Sequence, residues 1–427
     1  MIHVLIVVFV IAYLAIALEQ PLKTNKSAVA LVGAAVLWAV YATATGNPER
    51  VDEELNHSLV ATAQIVFFLL GAMAVVEIID AHDGFEIITS RLRARTVGSL
   101  TLIISVVTFF LSAVLDNLTT AIVVVSLGKH LLKDQNDRLM LAGMTVIAAN
   151  AGGAWSPIGD VTTTMLWIGG QVSAEAIITR LFVPSLVAML VPLAIVTWQL
   201  RGKPVVAPDS RAESERAGTA SSFEKVLMFG LGLGALLAVP AFKAITHLPP
   251  FLGVLLGLGV IWIVSDVLRR TKPRVEQHVT IAHVLSRIDL SAIVFFIGIL
   301  LAVATLEHAG ALTALARWLD AVFGRVDLIV LVIGLVSAVV DNVPMVAAAM
   351  GMYDLQTYPP DSFLWEFMAY CAGTGGSLLI IGSAAGVAAM GIEKIDFVWY
   401  LKRFSPLAMA GYLSGAGVYI AQAAIIS

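Results

Sequence analysis

Oxygen-bearing side chains recur at four places inside otherwise apolar sequence. They are Asp116-Asn117 with Thr119 and Thr120; Asn150 with Ser156, Asp160, Thr162 and Thr163; Asp341-Asn342; and Ser377 with Ser383. Carboxylate, amide and hydroxyl oxygens are what hard cations bind, and no His/Cys cluster is present to favour a transition metal. An aspartate inside a bilayer is costly enough to mark function by default. Asp116, Asp160 and Asp341 have no Lys or Arg in the apolar segments to pair with, which argues for a cationic ligand. Carboxylates would repel an anionic cargo, whereas hydroxyls, amides and helix N-termini attract one. They also supply coupling: a buried Asp without a cation takes up a proton, and an arriving Na⁺ displaces it. Competition for one site, exposed in turn to each side of a membrane, is antiport.

Each feature also has a plainer reading. Asp116, in front of Leu118-Thr119-Thr120, suits a helix N-cap, as does Asp160 after Pro157-Ile158-Gly159. Asn150 and Ser377 suit hydrogen bonds between helices. The glycines at Gly152-Gly153 and from Gly373 to Gly376 serve either close packing or freed backbone carbonyls. Glu77, Asp80, Glu307 and His308 lie at span ends where solvent reaches, with Glu77 deep enough to be a proton-entry candidate. His82 and His130 either border the membrane or tune activity with pH.

These residues need helices to hold them. Of 427 residues, 59% are hydrophobic and 13% charged, against about a quarter charged in soluble domains. Apolar segments fall near 2–18, 28–44, 58–79, 97–115, 118–128, 139–170, 175–200, 224–242, 250–267, 289–306, 326–352, 363–391 and 404–426. The composition excludes a soluble enzyme, a nucleic-acid-binding protein and a disordered chain. A single cysteine, Cys371, excludes an internal disulfide framework. The run from Met1 to Leu18 lacks the positive n-region of a signal peptide and reads as a retained first helix. Of the 26 Lys and Arg, 21 fall in one set of loops and five (Arg50, Arg180, Lys243, Arg317, Arg325) in the other. The positive-inside rule makes the first set cytoplasmic and both termini periplasmic. The loops at 80–96 and 129–138 are both basic, so the chain between them must return to the side it left. The segment 118–128 is too short to cross, and 97–132 is expected to be a re-entrant hairpin with its tip at Asp116-Asn117. Irregular backbone at that depth is tolerated only in protein or beside a water-filled cavity.

The segment Ser112-Ala-Val-Leu-Asp116-Asn117-Leu-Thr-Thr120 recurs 225 residues later as Ser337-Ala-Val-Val-Asp341-Asn342-Val-Pro-Met345. At an offset of 223, Gly152-Gly153 and Asp160 line up with Gly375-Gly376 and Ser383. Spans beginning Phe67-Phe68 and Phe295-Phe296, ending at Glu77 and Glu307, precede the two units. In the loop layout these spans run in opposite directions. The expected fold is therefore an all-α polytopic membrane protein of two inverted repeats, with about ten full spans and two hairpins. Such repeats point to a secondary transporter with its site at the midplane. The divisions are scaffold helices at 1–57; repeat 1 at 58–200, with hairpin 97–132 and broken helix 139–170; a cytoplasmic linker at 201–225; scaffold or interface helices at 226–288; and repeat 2 at 289–427, with hairpin 326–352 and broken helix 363–391.

With those motifs in hand, the chain resembles the NhaD-type sodium/proton antiporters of the ion transporter superfamily. The likeness rests on Ser112 to Thr120, Asn150 to Thr163 and Ser337 to Pro344, and covers nearly everything from about residue 58. It implies exchange of Na⁺ or Li⁺ for H⁺ across a bacterial inner membrane, in the service of pH homeostasis. The functional positions it implies are Ser112, Asp116, Asn117, Asn150, Asp160, Thr162, Thr163, Ser337 and Asn342. The residues and the likeness together place the cation on Asp116, Asn117, Asp160, Asp341 and Asn342, with Thr119 beside them and Ser156, Ser377, Ser383 and Glu77 in support. Distant superfamily members imply a homodimer whose hairpin-bearing domain slides against a scaffold. Beyond the lipid bilayer, no cofactor, protein partner or nucleic acid is expected. In the second repeat Pro344-Met345 replaces Thr119-Thr120 and Ser383 replaces Asp160, so unequal roles for the two halves follow. Two alternatives stand beside this reading. One is a carboxylate or arsenite carrier of the same superfamily, disfavoured by the aspartates; the other, remote, is an intramembrane aspartyl protease, for which the chain shows no Gly-x-Gly-Asp.

Overall fold

A computed structural model describes residues 1–17, 19, 23–85, 87, 94–206, 221–270, 285–339 and 341–426. Arg91, Arg93, most of the linker (207–220) and the basic stretch 271–284 lie outside the described residues. Among the described residues there are eighteen helices and no strand. Eight are long and apolar enough to cross a membrane: α2 (Lys26–Thr45), α3 (Pro48–Ala81), α4 (Val97–Leu115), α8 (Ala174–Gln199), α9 (Ser222–Thr246), α10 (Pro250–Arg270), α11 (Leu290–His308) and α18 (Ser405–Ile426). The others, shorter or less apolar, are α1 (Ile2–Ala17), α5 (Asn117–Leu131), α6 (Gln135–Gly153), α7 (Val161–Ile168), α12 (Ala311–Phe323), α13 (Val326–Val336), α14 (Asn342–Met352), α15 (Phe363–Gly375), α16 (Ala384–Glu393) and α17 (Phe397–Arg403).

Local chemistry sets the boundaries. α3 begins ten residues before its apolar run, because Asn47 caps Arg50 N–H, Pro48 sits in the first turn and Arg50 pairs with Glu54 at 2.9 Å. These devices favour a helix start in polar sequence. The boundary drawn at residue 57 therefore falls inside one continuous helix. The boundary at 225 likewise falls inside α9, which Ser221 caps. α12 has no apolar run for hydropathy to detect; it forms by burying Ala311, Leu312, Ala316 and Leu319 on one face.

Breaks occur where the four oxygen-bearing clusters lie. α4 ends and α5 begins at Asp116, whose φ of 75° with ψ of 158° is a strained backbone conformation that residues with a side chain rarely adopt. α6 and α7 are separated by Ala154 to Asp160, α13 and α14 by Ser337 to Asp341, and α15 and α16 by Gly376 to Ser383. Across the halves, α5 packs on α16 and α14 on α7.

The glycines flanking the breaks explain how the pieces approach. A methyl on Gly152 would collide with the Phe109 carbonyl oxygen, and one on Gly375 with that of Gly334. Phe109 and Gly334 are themselves 225 residues apart, so the same helix contact is built twice. These glycines serve close packing. Backbone carbonyls cannot yield as a flexible side chain can, so Gly152→Ala or Gly375→Ala is expected to cost about 2 kcal/mol. The loss should appear as a lower unfolding midpoint in detergent. Gly230→Ala, with open space around it, is the control expected to lose nothing.

Candidate ion site

All four clusters converge. Asp160 lies at the centre, 1% exposed. Its Oδ1 accepts from the Thr162 backbone N–H at 2.9 Å and from the Thr162 hydroxyl at 2.8 Å, so it caps α7. Its Oδ2 accepts from Asn117 Nδ2 at 2.6 Å. Asn342 Nδ2 approaches the same carboxylate at 3.4–3.5 Å. Asn117 Nδ2 also donates to Asn150 Oδ1 at 3.0 Å, and Asn150 Nδ2 donates to Ser377 and Ser383, each at 2.9 Å. Ser383 in turn caps α16 by accepting from Gly386 N–H. One chain of hydrogen bonds thus runs from the first repeat to the second.

Asp116 is held differently. Thr119 donates to it twice, from its backbone N–H at 2.8 Å and its hydroxyl at 2.9 Å. The capping geometry is present, and Asp116 also lines a cavity of about 890 Å³. Asp160, Asp341, Asn117, Asn342 and Thr119 share that wall, and the cavity reaches Glu77, Asp80 and Arg287. Asp80 and Arg287 are each 44% exposed, so this end is the mouth. Three carboxylates from both halves thus face one space beside amide groups, an arrangement that can hold and release a small cation.

Other expected positions have local roles. Ser112 donates to the Ala149 carbonyl at 2.6 Å and Ser337 to that of Gly334 at 2.9 Å. Thr163 donates to the Asp160 carbonyl, and Ser156 accepts from Ile158 N–H. Glu77 stands at the mouth, 3.4 Å from Arg287 Nε, rather than alone. Two groups escaped the sequence reading. Tyr400 OH donates to the Ser377 carbonyl at 2.8 Å, bracing the second break. Lys26 Nζ lies 3.8 Å from Asp341 Oδ2, which corrects the expectation that all three aspartates lack a basic partner. Charge counting places Lys26 among the loops, whereas it begins α2 and lines the cavity.

Comparison with known proteins agrees with this architecture. Residues 13–373 match the CitMHS family, described as citrate transporter. The chain is 49% identical to Sodium/proton antiporter 1 of Arabidopsis thaliana, over 97% of this chain and 71% of that one. It is 32% identical to the Na(+)/H(+) antiporter NhaD of Vibrio cholerae, over 96% of this chain and 89% of that one. The fold is similar to that of the Alcanivorax borkumensis YdaH transporter, with a TM-score of 0.58 at 12% identity over 92% of this chain and 97% of that one. A protease reading falls with these matches, since the relatives are transporters and not enzymes. The chain is a membrane transporter that belongs to the CitMHS citrate transporter family and to the NhaD-type sodium/proton antiporters.

Proposed function

We propose that this protein exchanges Na⁺ or Li⁺ for H⁺ by alternating access, the two ions competing for Asp116, Asp160 and Asp341. The observation that carries this reading is the single cavity shared by those carboxylates with Asn117 and Asn342. Its mouth at Asp80 and Arg287 lies on the side that the basic loops assign to the cytoplasm, as in an inward-facing carrier. The re-entrant hairpins, the homodimer, the bacterial inner membrane and two periplasmic termini belong to the same proposal. The loop charges and the Vibrio relative support the bacterial membrane, while the 49% identical Sodium/proton antiporter 1 is a plant protein.

A carboxylate cargo has one observation in its favour. The N-termini of α5, α7, α14 and α16 all begin at the site, and each carries roughly +0.5 charge. Four of them supply about +2, which three ionised aspartates exceed. The aspartates stand where an anionic ligand would otherwise bind, and they turn the same helix arrangement towards cations.

Everted vesicles, acidified inside and given NaCl, LiCl, KCl or citrate, test the proposal. Na⁺ or Li⁺ is expected to alkalinise the lumen; a response to citrate alone sinks antiport. Competition adds a quantitative expectation. The half-maximal Na⁺ concentration should fall as pH rises, by up to about tenfold per pH unit if one proton opposes one ion. A half-maximal concentration that ignores pH would remove shared carboxylates from the mechanism.

A further inference from the structure

The two hairpins differ at one residue with a direct chemical consequence. In the first repeat Thr119 gives Asp116 two donors, its backbone N–H and its hydroxyl. The matching residue in the second repeat is Pro344, which has neither a backbone N–H nor a hydroxyl. Asp341 occupies the N-cap position of α14, yet its side chain makes no capping bond. Its carboxylate turns instead to Lys26 at 3.8 Å.

Lys26 is itself an oddity of placement. It occupies the first turn of α2, where the positive end of the helix dipole disfavours a cation. Several contacts hold it there. Asn25 caps the helix by accepting from Ser27 N–H at 2.8 Å, and Ser27 Oγ donates to the Ser291 carbonyl at 2.6 Å. The ammonium lies 4.8 Å from the centre of the Phe295 ring, a favourable cation–π distance. It lines the cavity together with Asp116, Asp160 and Glu19. The hydrogen bonds to Asp116 and Asp160 come from Thr119, Thr162, Asn117 and Asn342, all of them uncharged. Among the described residues, Asp341 alone of the three site aspartates has an ammonium within 4 Å.

We propose that Lys26 is a tethered competitor for the transported cation: its ammonium occupies Asp341 when no Na⁺ does, and Na⁺ must displace it to bind there. The inference rests on the antiport reading and deepens it. The local charge balance points the same way. Three aspartates against four helix N-termini leave the cation-free site about one charge negative, a balance that favours an ammonium beside Asp341. Lys26 belongs to α2, outside the repeat, whereas Asp341 lies at a hairpin tip. Displacement by Na⁺ therefore also releases the hairpin from α2. Na⁺ affinity is set by a residue that is not one of the ligands.

The test uses the full-length purified protein and its thermal stabilisation by NaCl, with choline chloride keeping ionic strength constant. Lys26→Gln is expected to lower the Na⁺ concentration of half-maximal stabilisation at least twofold, whereas Lys26→Arg, which keeps the cation, leaves it near wild type. A K26Q value within twofold of wild type, or a higher one, overturns the proposal. A second measurement needs no variant. Reductive methylation of the wild-type protein with formaldehyde and dimethylamine-borane, read at Lys26 by mass spectrometry, should rise when NaCl replaces choline chloride, because Na⁺ frees the amine. Labelling indifferent to Na⁺ overturns it equally. A wild-type protein that Na⁺ neither stabilises nor drives in vesicles sinks antiport itself. A normal wild-type response beside an unchanged K26Q midpoint overturns only the role of Lys26.

Discussion

Asp116→Asn is expected to abolish Na⁺-driven proton movement while leaving a folded transporter. The substitution is nearly isosteric, and the local bonds survive it. The amide oxygen still accepts from Thr119 N–H, and the new NH₂ donates to the Thr119 hydroxyl, which can reverse its role from donor to acceptor. Asn caps helices about as well as Asp, so the unfolding midpoint should stay close to wild type. What disappears is the negative charge and the protonatable oxygen on the cavity wall. Removing groups that merely support a metal ligand costs roughly 10- to 100-fold in affinity, so loss of a carboxylate ligand should reach at least about 100-fold. Vesicle alkalinisation read beside the melting curve of the purified protein separates the two effects. A D116N protein with wild-type alkalinisation would reduce Asp116 to a helix cap.

Asp160→Asn should be as damaging to transport and more damaging to structure. Every neighbour of this carboxylate donates to it. An NH₂ cannot replace Oδ1, because it would face the fixed Thr162 backbone N–H. At Oδ2 it would face Asn117 Nδ2, now 2.6 Å away. Relief requires the Asn117 amide to turn, then that of Asn150, ending at the Ser377 and Ser383 hydroxyls, which can donate in the reversed direction. A buried donor left unmatched costs about 1–3 kcal/mol. D160N is therefore expected to lower the unfolding midpoint as well as abolish the Na⁺ response, whereas D116N lowers only the response. Equal melting behaviour of the two variants would mean that the amide chain reverses freely, and a wild-type Na⁺ response in D160N would take Asp160 out of the site.

Much of this is legible in the sequence, for a physical reason. In a bilayer every buried charge and every broken helix is expensive, so the few that occur stand out against apolar sequence. Helix breaks lie where Asp116, Gly152-Gly153, Asp341 and Gly375-Gly376 had marked them. The polar start of α3 and the short α12 were not legible. Their helicity comes from caps, an ion pair and one-sided burial rather than from apolar length. Within the site, spacing singled out Asp116, Asp160 and Asp341 together. It offered no way to tell that Asp160 would collect donors from Asn117, Thr162 and Asn342 while Asp116 kept to its own helix turn.

The sequence by itself determined the class of molecule, the duplication and the oxygen chemistry of the site, because composition, repeat offset and side-chain type are properties of the chain alone. The replacement of Thr119 by Pro344 was also visible there as an asymmetry without a meaning. Only the tertiary structure decided that meaning. It brought Lys26, from outside the repeats, to the carboxylate that Pro344 leaves uncapped. Which charge meets which is settled by how α2, α11 and α14 pack, and a partner drawn from a remote helix leaves no local spacing for a sequence to display.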